Sequence, residues 1–85
     1  MTNFKELPMN ESHGGVQYKA KYPNGYGASI VKHQFSYGNE RGLYELAVLD
    51  KDGAITYDTP ITNDVIGNLT EVEVNATLDA IKALV

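Results

Sequence analysis

Residues 42–60, GLYELAVLDKDGAITYDTP, and residues 70–85, TEVEVNATLDAIKALV, decide the fold. The first reads as a β-hairpin around Asp50-Lys51-Asp52-Gly53, a loop that lets Leu49 face Ala54, Val48 face Ile55, Leu46 face Tyr57 and Tyr44 face Thr59. Tyr44, Leu46, Val48, Ile55 and Tyr57 then share one side, and Glu45 and Asp58 oppose each other on the other. The second stretch reads as a capped amphipathic helix. Thr70 with Glu73 three residues on is a capping box, and Glu71 and Glu73 suit the positive end of the helix dipole. Val74, Leu78, Ile81 and Val85 recur on one stripe, joined by Leu84, with Asn75, Asp79 and Lys82 opposite. A lone helix of about 14 residues is marginal in water, so it must dock on a sheet.

Upstream, Val16, Tyr18, Ala20 and Tyr22 alternate with Gln17, Lys19 and Lys21 as in a half-buried strand. Asn24-Gly25 suits a two-residue loop that would pair Tyr22 with Gly27, Ala20 with Ser29, and Tyr18 with Val31. That register gathers Val16, Tyr18, Ala20, Val31 and Phe35 on one side, and Gln17, Lys19, Lys21, Lys32 and Gln34 on the other. A three-residue loop would set Lys32 beside Val16 on the apolar side while bringing in Ala28 and Ile30, so the two-residue register is preferred. Residues 1–15 hold Pro8, Asn10, Ser12, Gly14 and Gly15 and predict an irregular arm anchored by Phe4, Leu7 and Met9. Between the hairpins lies the polar loop Tyr37-Gly38-Asn39-Glu40-Arg41-Gly42. Pro60 is expected to stop the fourth strand, and Thr62-Asn63-Asp64 to cap a helical turn through Val65 and Ile66.

A chain of 85 residues suffices for one small domain, with no cysteine for a disulfide or thiolate metal site. With 42% hydrophobic residues, 21% charged and six tyrosines, the chain can build a core. No stretch approaches the length of a membrane span and no secretory leader opens the chain, which predicts a cytoplasmic protein. Residues 1–41 hold five Lys/Arg against three Glu, whereas residues 42–85 hold two Lys against eight Asp/Glu. The acidic second half disfavours binding to nucleic acid or anionic lipid.

Chemical motifs are few. His13 and His33 are the only imidazoles, and no ligand spacing accompanies them. Asp50-Lys51-Asp52-Gly53 imitates the start of a calcium loop, but the positions that should complete it hold Ala54 and Ile61. Ser12, Ser29 and Ser36 lack the surroundings of an activated nucleophile. The reading is a protein that is not an enzyme and needs neither metal nor cofactor.

Two surfaces invite partners. Residues 43–49 are apolar on both sides of the strand, so Leu43, Ala47 and Leu49 require a cover beyond the single helix: the arm, a second subunit or another protein. Tyr26, Phe35, Tyr37 and Arg41, in or near the loops, are further contact candidates by residue type. The alternative is weak single-stranded nucleic-acid binding through Lys19, Lys21 and Lys32 on one sheet face.

The strings NGYGASIV at 24–31, GLYELAVL at 42–49 and YDTPITNDVIGNLTEVEVNATLDAIKAL at 57–84 resemble small proteins encoded by bacteriophages and prophages. The resemblance spans residues 16–84. It implies a host-cell cytoplasmic setting and an accessory role, and supplies no functional residues.

The expected architecture is α+β: after the arm, residues 16–85 form a four-stranded antiparallel meander of two hairpins with one C-terminal helix on one face. The expected function is a small phage-type accessory protein acting as a protein-interaction module, by self-association or through a host or viral partner.

Overall fold

A computed structural model describes residues 3–34, 36, 38–57, 59–61 and 65–84. The fold is α+β, an antiparallel sheet with one C-terminal helix. Among the described residues the sheet has five strands rather than four: β1 (Met9–Ser12), β2 (Gly15–Lys21), β3 (Gly27–Lys32), β4 (Tyr44–Leu49) and β5 (Ile66–Leu69), each beside its sequence neighbour. Helix α1 (Glu71–Lys82) follows β5 directly.

The additional strand comes from the arm. Ser12 pairs with Gly15, and the two residues between them, His13 and Gly14, both take positive φ (45° and 80°). That is the backbone of a tight two-residue turn whose twist matches the strands. Histidine tolerates the left-handed region better than most side chains, so Ser-His-Gly serves where Asn-Gly is the familiar signal. Ahead of β1, a 3-10 turn at Phe4–Glu6 buries Phe4 to 1% exposure.

The first hairpin adopts the three-residue loop that the segregation of lysines had disfavoured. Lys21 pairs with Gly27, Ala20 with Ala28, Tyr18 with Ile30 and Val16 with Lys32. Pro23 is the physical reason. In the two-residue register it would have to donate one of the two closing hydrogen bonds, and proline has no N–H. Instead the Tyr22 N–H donates to the Tyr26 carbonyl at 2.8 Å and the Gly25 N–H to the Tyr22 carbonyl at 3.1 Å. Pro23 supplies the fixed φ at the first corner and Gly25 the left-handed φ of 91° after it. Ala28 and Ile30 thereby enter the core, Val31 turns away from it, and Lys32 crosses to the helix side.

The second hairpin is reduced to its turn. The Asp50 N–H donates to the Ala54 carbonyl at 2.8 Å and the Thr56 N–H to the Val48 carbonyl at 2.9 Å, and among the described residues the bridge between Leu49 and Ile55 is the extent of the pairing. Ile55 and Tyr57, expected in the core, are 48% and 51% exposed. The edge of β4 is taken by β5, with Leu46 opposite Ile66 and Tyr44 opposite Leu69 across a bulge. Residues Ile66–Leu69 are thus a strand and not the helical turn read from Thr62-Asn63-Asp64; those three, with Asp58 and Val85, lie outside the described residues. Asn68, at φ 57°, accommodates the irregularity in β5. Pairing β5 also places Leu69 in the core one residue before the helix cap.

Helix α1 forms as its sequence dictates. The Thr70 side chain accepts from the Glu73 N–H at 3.2 Å, and Glu73 accepts from the Thr70 N–H at 2.9 Å. That bond from the Thr70 backbone, reinforced by the Thr70 side chain, holds the Glu73 carboxyl below its ordinary range. Val74, Leu78 and Ile81 are buried against Ala28, Ile30, Leu46 and Val48. Phe4 closes the end of this core, its ring edge-on to Tyr18 at 5.1 Å and to Tyr44 at 4.9 Å. The arm therefore seals the helix side, with Leu7 also packed there, while Met9 stays 50% exposed.

Candidate functional site

Strand alternation leaves a second sheet face, opposite α1. Along β2 it presents Gln17, Lys19 and Lys21; along β3, Ser29 and Val31; along β4, Glu45, Ala47 and Leu49. Val31 and Ala47 are buried, and Leu49 and Ser29 half-buried. Ile55 and Val65, from the segment that joins β4 to β5, wall one side of a shallow depression of about 310 Å³ whose floor is Val31, Ala47 and Leu49. A second depression of about 560 Å³ adjoins it, sharing Lys19, Leu49 and Gly53 and running between Leu7-Pro8 and the turn at 50–53. The floor is apolar and the rim polar: Gln17 donates to the Ser29 hydroxyl at 2.8 Å, which positions both side chains on the face.

Charge on this face is divided. Lys19 and Lys21 are exposed along β2. Across β3, the β4 side carries Glu45, then Asp50, Lys51 and Asp52 in the turn. The Asp50 carboxylate accepts from the Asp52 N–H at 2.9 Å and the Ala54 N–H at 3.1 Å, which is the behaviour of a turn residue stabilising its own backbone.

Among the described residues, the expected contact residues do not converge. Ala47 and Leu49 lie on the open face. Tyr26 packs against the helix-side core. Arg41 is exposed in a 3-10 turn at Asn39–Arg41, and Leu43, half-buried, lies between that turn and β4. Phe35 and Tyr37 lie outside the described residues. The lysine set also divides: Lys19 and Lys21 share the open face, but Lys32 pairs with Val16 on the helix side, its ammonium 5.0 Å from the centre of the Tyr44 ring. Three lysines on a single surface were a product of the two-residue register, and the Pro23 turn removes it. Val31, Ile55 and Val65 join the open face unforeseen; Pro23 was the signal for the first.

The remaining polar candidates have structural surroundings. The Ser36 hydroxyl accepts from the His33 N–H and donates to the His33 carbonyl, both at 2.9 Å. The His13 and His33 rings stand edge-to-face at 5.1 Å. Among the described residues, no three His, Cys, Asp or Glu side chains converge as a metal site, and no helix is long and apolar enough to cross a membrane. Compared with known proteins, the chain matches no family model, no curated protein and no solved structure.

Proposed function

We propose that this chain is a small protein-interaction module, an accessory protein of the bacteriophage type working in the host cytoplasm, and that it acts by binding through the sheet face opposite α1. The observation that carries the reading is the two-sided apolarity of β4. Tyr44, Leu46 and Val48 are consumed by the core. Ala47 and Leu49 add to Val31 on the other face, where a groove with apolar floor and polar rim has the anatomy of an interface.

The test is a Leu49→Asp substitution. The half-buried Leu49 faces away from the core, so the variant should keep the far-ultraviolet circular dichroism of the wild type while losing association, whether with itself or with a protein captured from infected cells. Association undiminished in a folded Leu49→Asp variant would remove the open face from the account.

A further inference from the structure

Resting on that reading of the open face, we propose that its occupant is a second copy of the same chain, stacked face to face about a twofold axis that runs along β3. Charge complementarity in register singles out this occupant. The basic bank, Lys19 and Lys21, lies on the strand to one side of β3; the net acidic bank, Glu45 with the Asp50–Asp52 turn, lies on the other. Neighbouring strands are about 4.8 Å apart and stacked sheets about 10 Å. A twofold axis along β3 and midway between two such sheets therefore lays β2 of each copy over β4 of the other.

The residue levels agree with this stacking. Gln17, Val31 and Glu45 form one row across the strands, Lys19, Ser29 and Ala47 the next, and Lys21, Gly27 and Leu49 the third. In the stacked pair, the stem of Lys19 lies above the second copy's Ala47, which is already buried within its own chain, with the ammonium within a side chain's reach of Glu45 there. Lys21 covers the second copy's Leu49 and reaches its turn at Asp52. Both sets occur twice, since a twofold contact is self-complementary. Lysine stems suit this role because they cover apolar surface while their charges stay at the rim. Ile55, on the wall of the groove, would gain cover.

Other occupants satisfy only half of the face. An acidic peptide or a nucleic acid would use the lysines and meet Glu45 and Asp52 as repulsion. A basic partner meets the converse. A second copy presents each bank with its opposite.

Sedimentation equilibrium from micromolar to millimolar concentration tests this on four samples: wild type, K19E/K21E, E45K/D52K and an equimolar mixture of the two variants. The wild type should show a concentration-dependent dimer. Each charge-reversed variant should weaken it by about tenfold or more, because every pair becomes a like-charge contact. The mixture should restore association, since one variant is then acidic on both banks and the other basic on both. K19E alone, at an exposed position, gives the same direction of change if a double variant misfolds. A wild type that stays monomeric into the millimolar range, or a mixture no heavier than its components, overturns the second copy. A monomer whose capture of another protein still depends on Leu49 would overturn this inference and leave the open face as an interface.

Discussion

At Tyr22 the fold encloses a phenol whose oxygen finds no hydrogen-bond partner among the described residues. Burial raises its pKa above the ordinary phenol value, and the nearby Asp79 carboxylate adds to the rise. The Lys82 ammonium, 6.0 Å from the ring centre, is drawn to the aromatic face. A raised pKa means that the folded chain holds the phenolic proton more tightly than the unfolded chain, so the contribution is complete below about pH 10 and is lost as pH rises through the folded pKa. Tyr22→Phe removes an unsatisfied hydroxyl and keeps the ring. The expected outcome in urea unfolding at pH 7 is stability unchanged or raised by up to about 1 kcal/mol, with a flatter decline on the alkaline side. A loss of stability at pH 7 would show that the hydroxyl is satisfied after all. None of this is legible in the sequence, where Tyr22 reads only as the last apolar position of a strand.

Elements meet here through their ends as much as through their faces. Asn24 sits in the β2–β3 turn, its Oδ1 accepting from the Tyr26 N–H at 3.0 Å. Its Nδ2 donates to the carbonyls of Ile81 at 2.9 Å, Leu84 at 3.0 Å and Lys82 at 3.2 Å. One carboxamide thus orders the turn and supplies the last carbonyls of α1 with a donor, a task that helices otherwise leave to water or to a C-terminal glycine. Asn24→Ala should cost about 1–2 kcal/mol in urea unfolding. Asn24→Asp should cost more, because a carboxylate keeps the bond to Tyr26 but cannot donate to carbonyls and sets a negative charge at the negative end of the helix. Equal stability of the Asp and Asn forms would dissolve the link. The sequence showed Asn24 as a turn residue, since turn chemistry is local; its second role depends on where a helix some 57 residues later comes to rest. The same division explains the elements as a whole. The capping box of α1 and its stripe of Val74, Leu78 and Ile81 are local and legible in the sequence. The identity of the strand beside β4 is not, because residues 55–57 and Ile66–Leu69 are both short apolar runs of strand type, and tertiary context selects the one that leads straight into Thr70.

For the whole molecule, the consequence of small size is that a few side chains close the core. The sequence made the core face legible where alternation was unambiguous, at Tyr18, Ala20, Tyr44, Leu46 and Val48, and missed it where one proline shifted the register, at Ala28 and Ile30. It also set residues 1–15 apart as an arm, whereas Phe4 completes the core and its N–H donates to Asn75 Oδ1 on α1 at 2.9 Å. The N-terminal segment is thereby fastened to the C-terminal helix, with Lys5 and Glu71 forming an exposed ion pair at 2.9 Å beside it. Bond and ring packing together make Phe4 the residue on which arm, sheet and helix jointly depend. Truncating a fully buried phenylalanine to alanine costs roughly 3–5 kcal/mol, against a total of about 5–15 kcal/mol for a domain. Phe4→Ala should therefore lower the thermal midpoint by on the order of 15–30 °C in one cooperative transition. Lys5→Ala, which breaks only the screened surface pair, should leave the midpoint nearly unchanged. Scanning calorimetry of the two variants separates the possibilities: if Phe4→Ala unfolded at the wild-type temperature, the arm would be an appendage, and the helix and four strands would carry the fold without it.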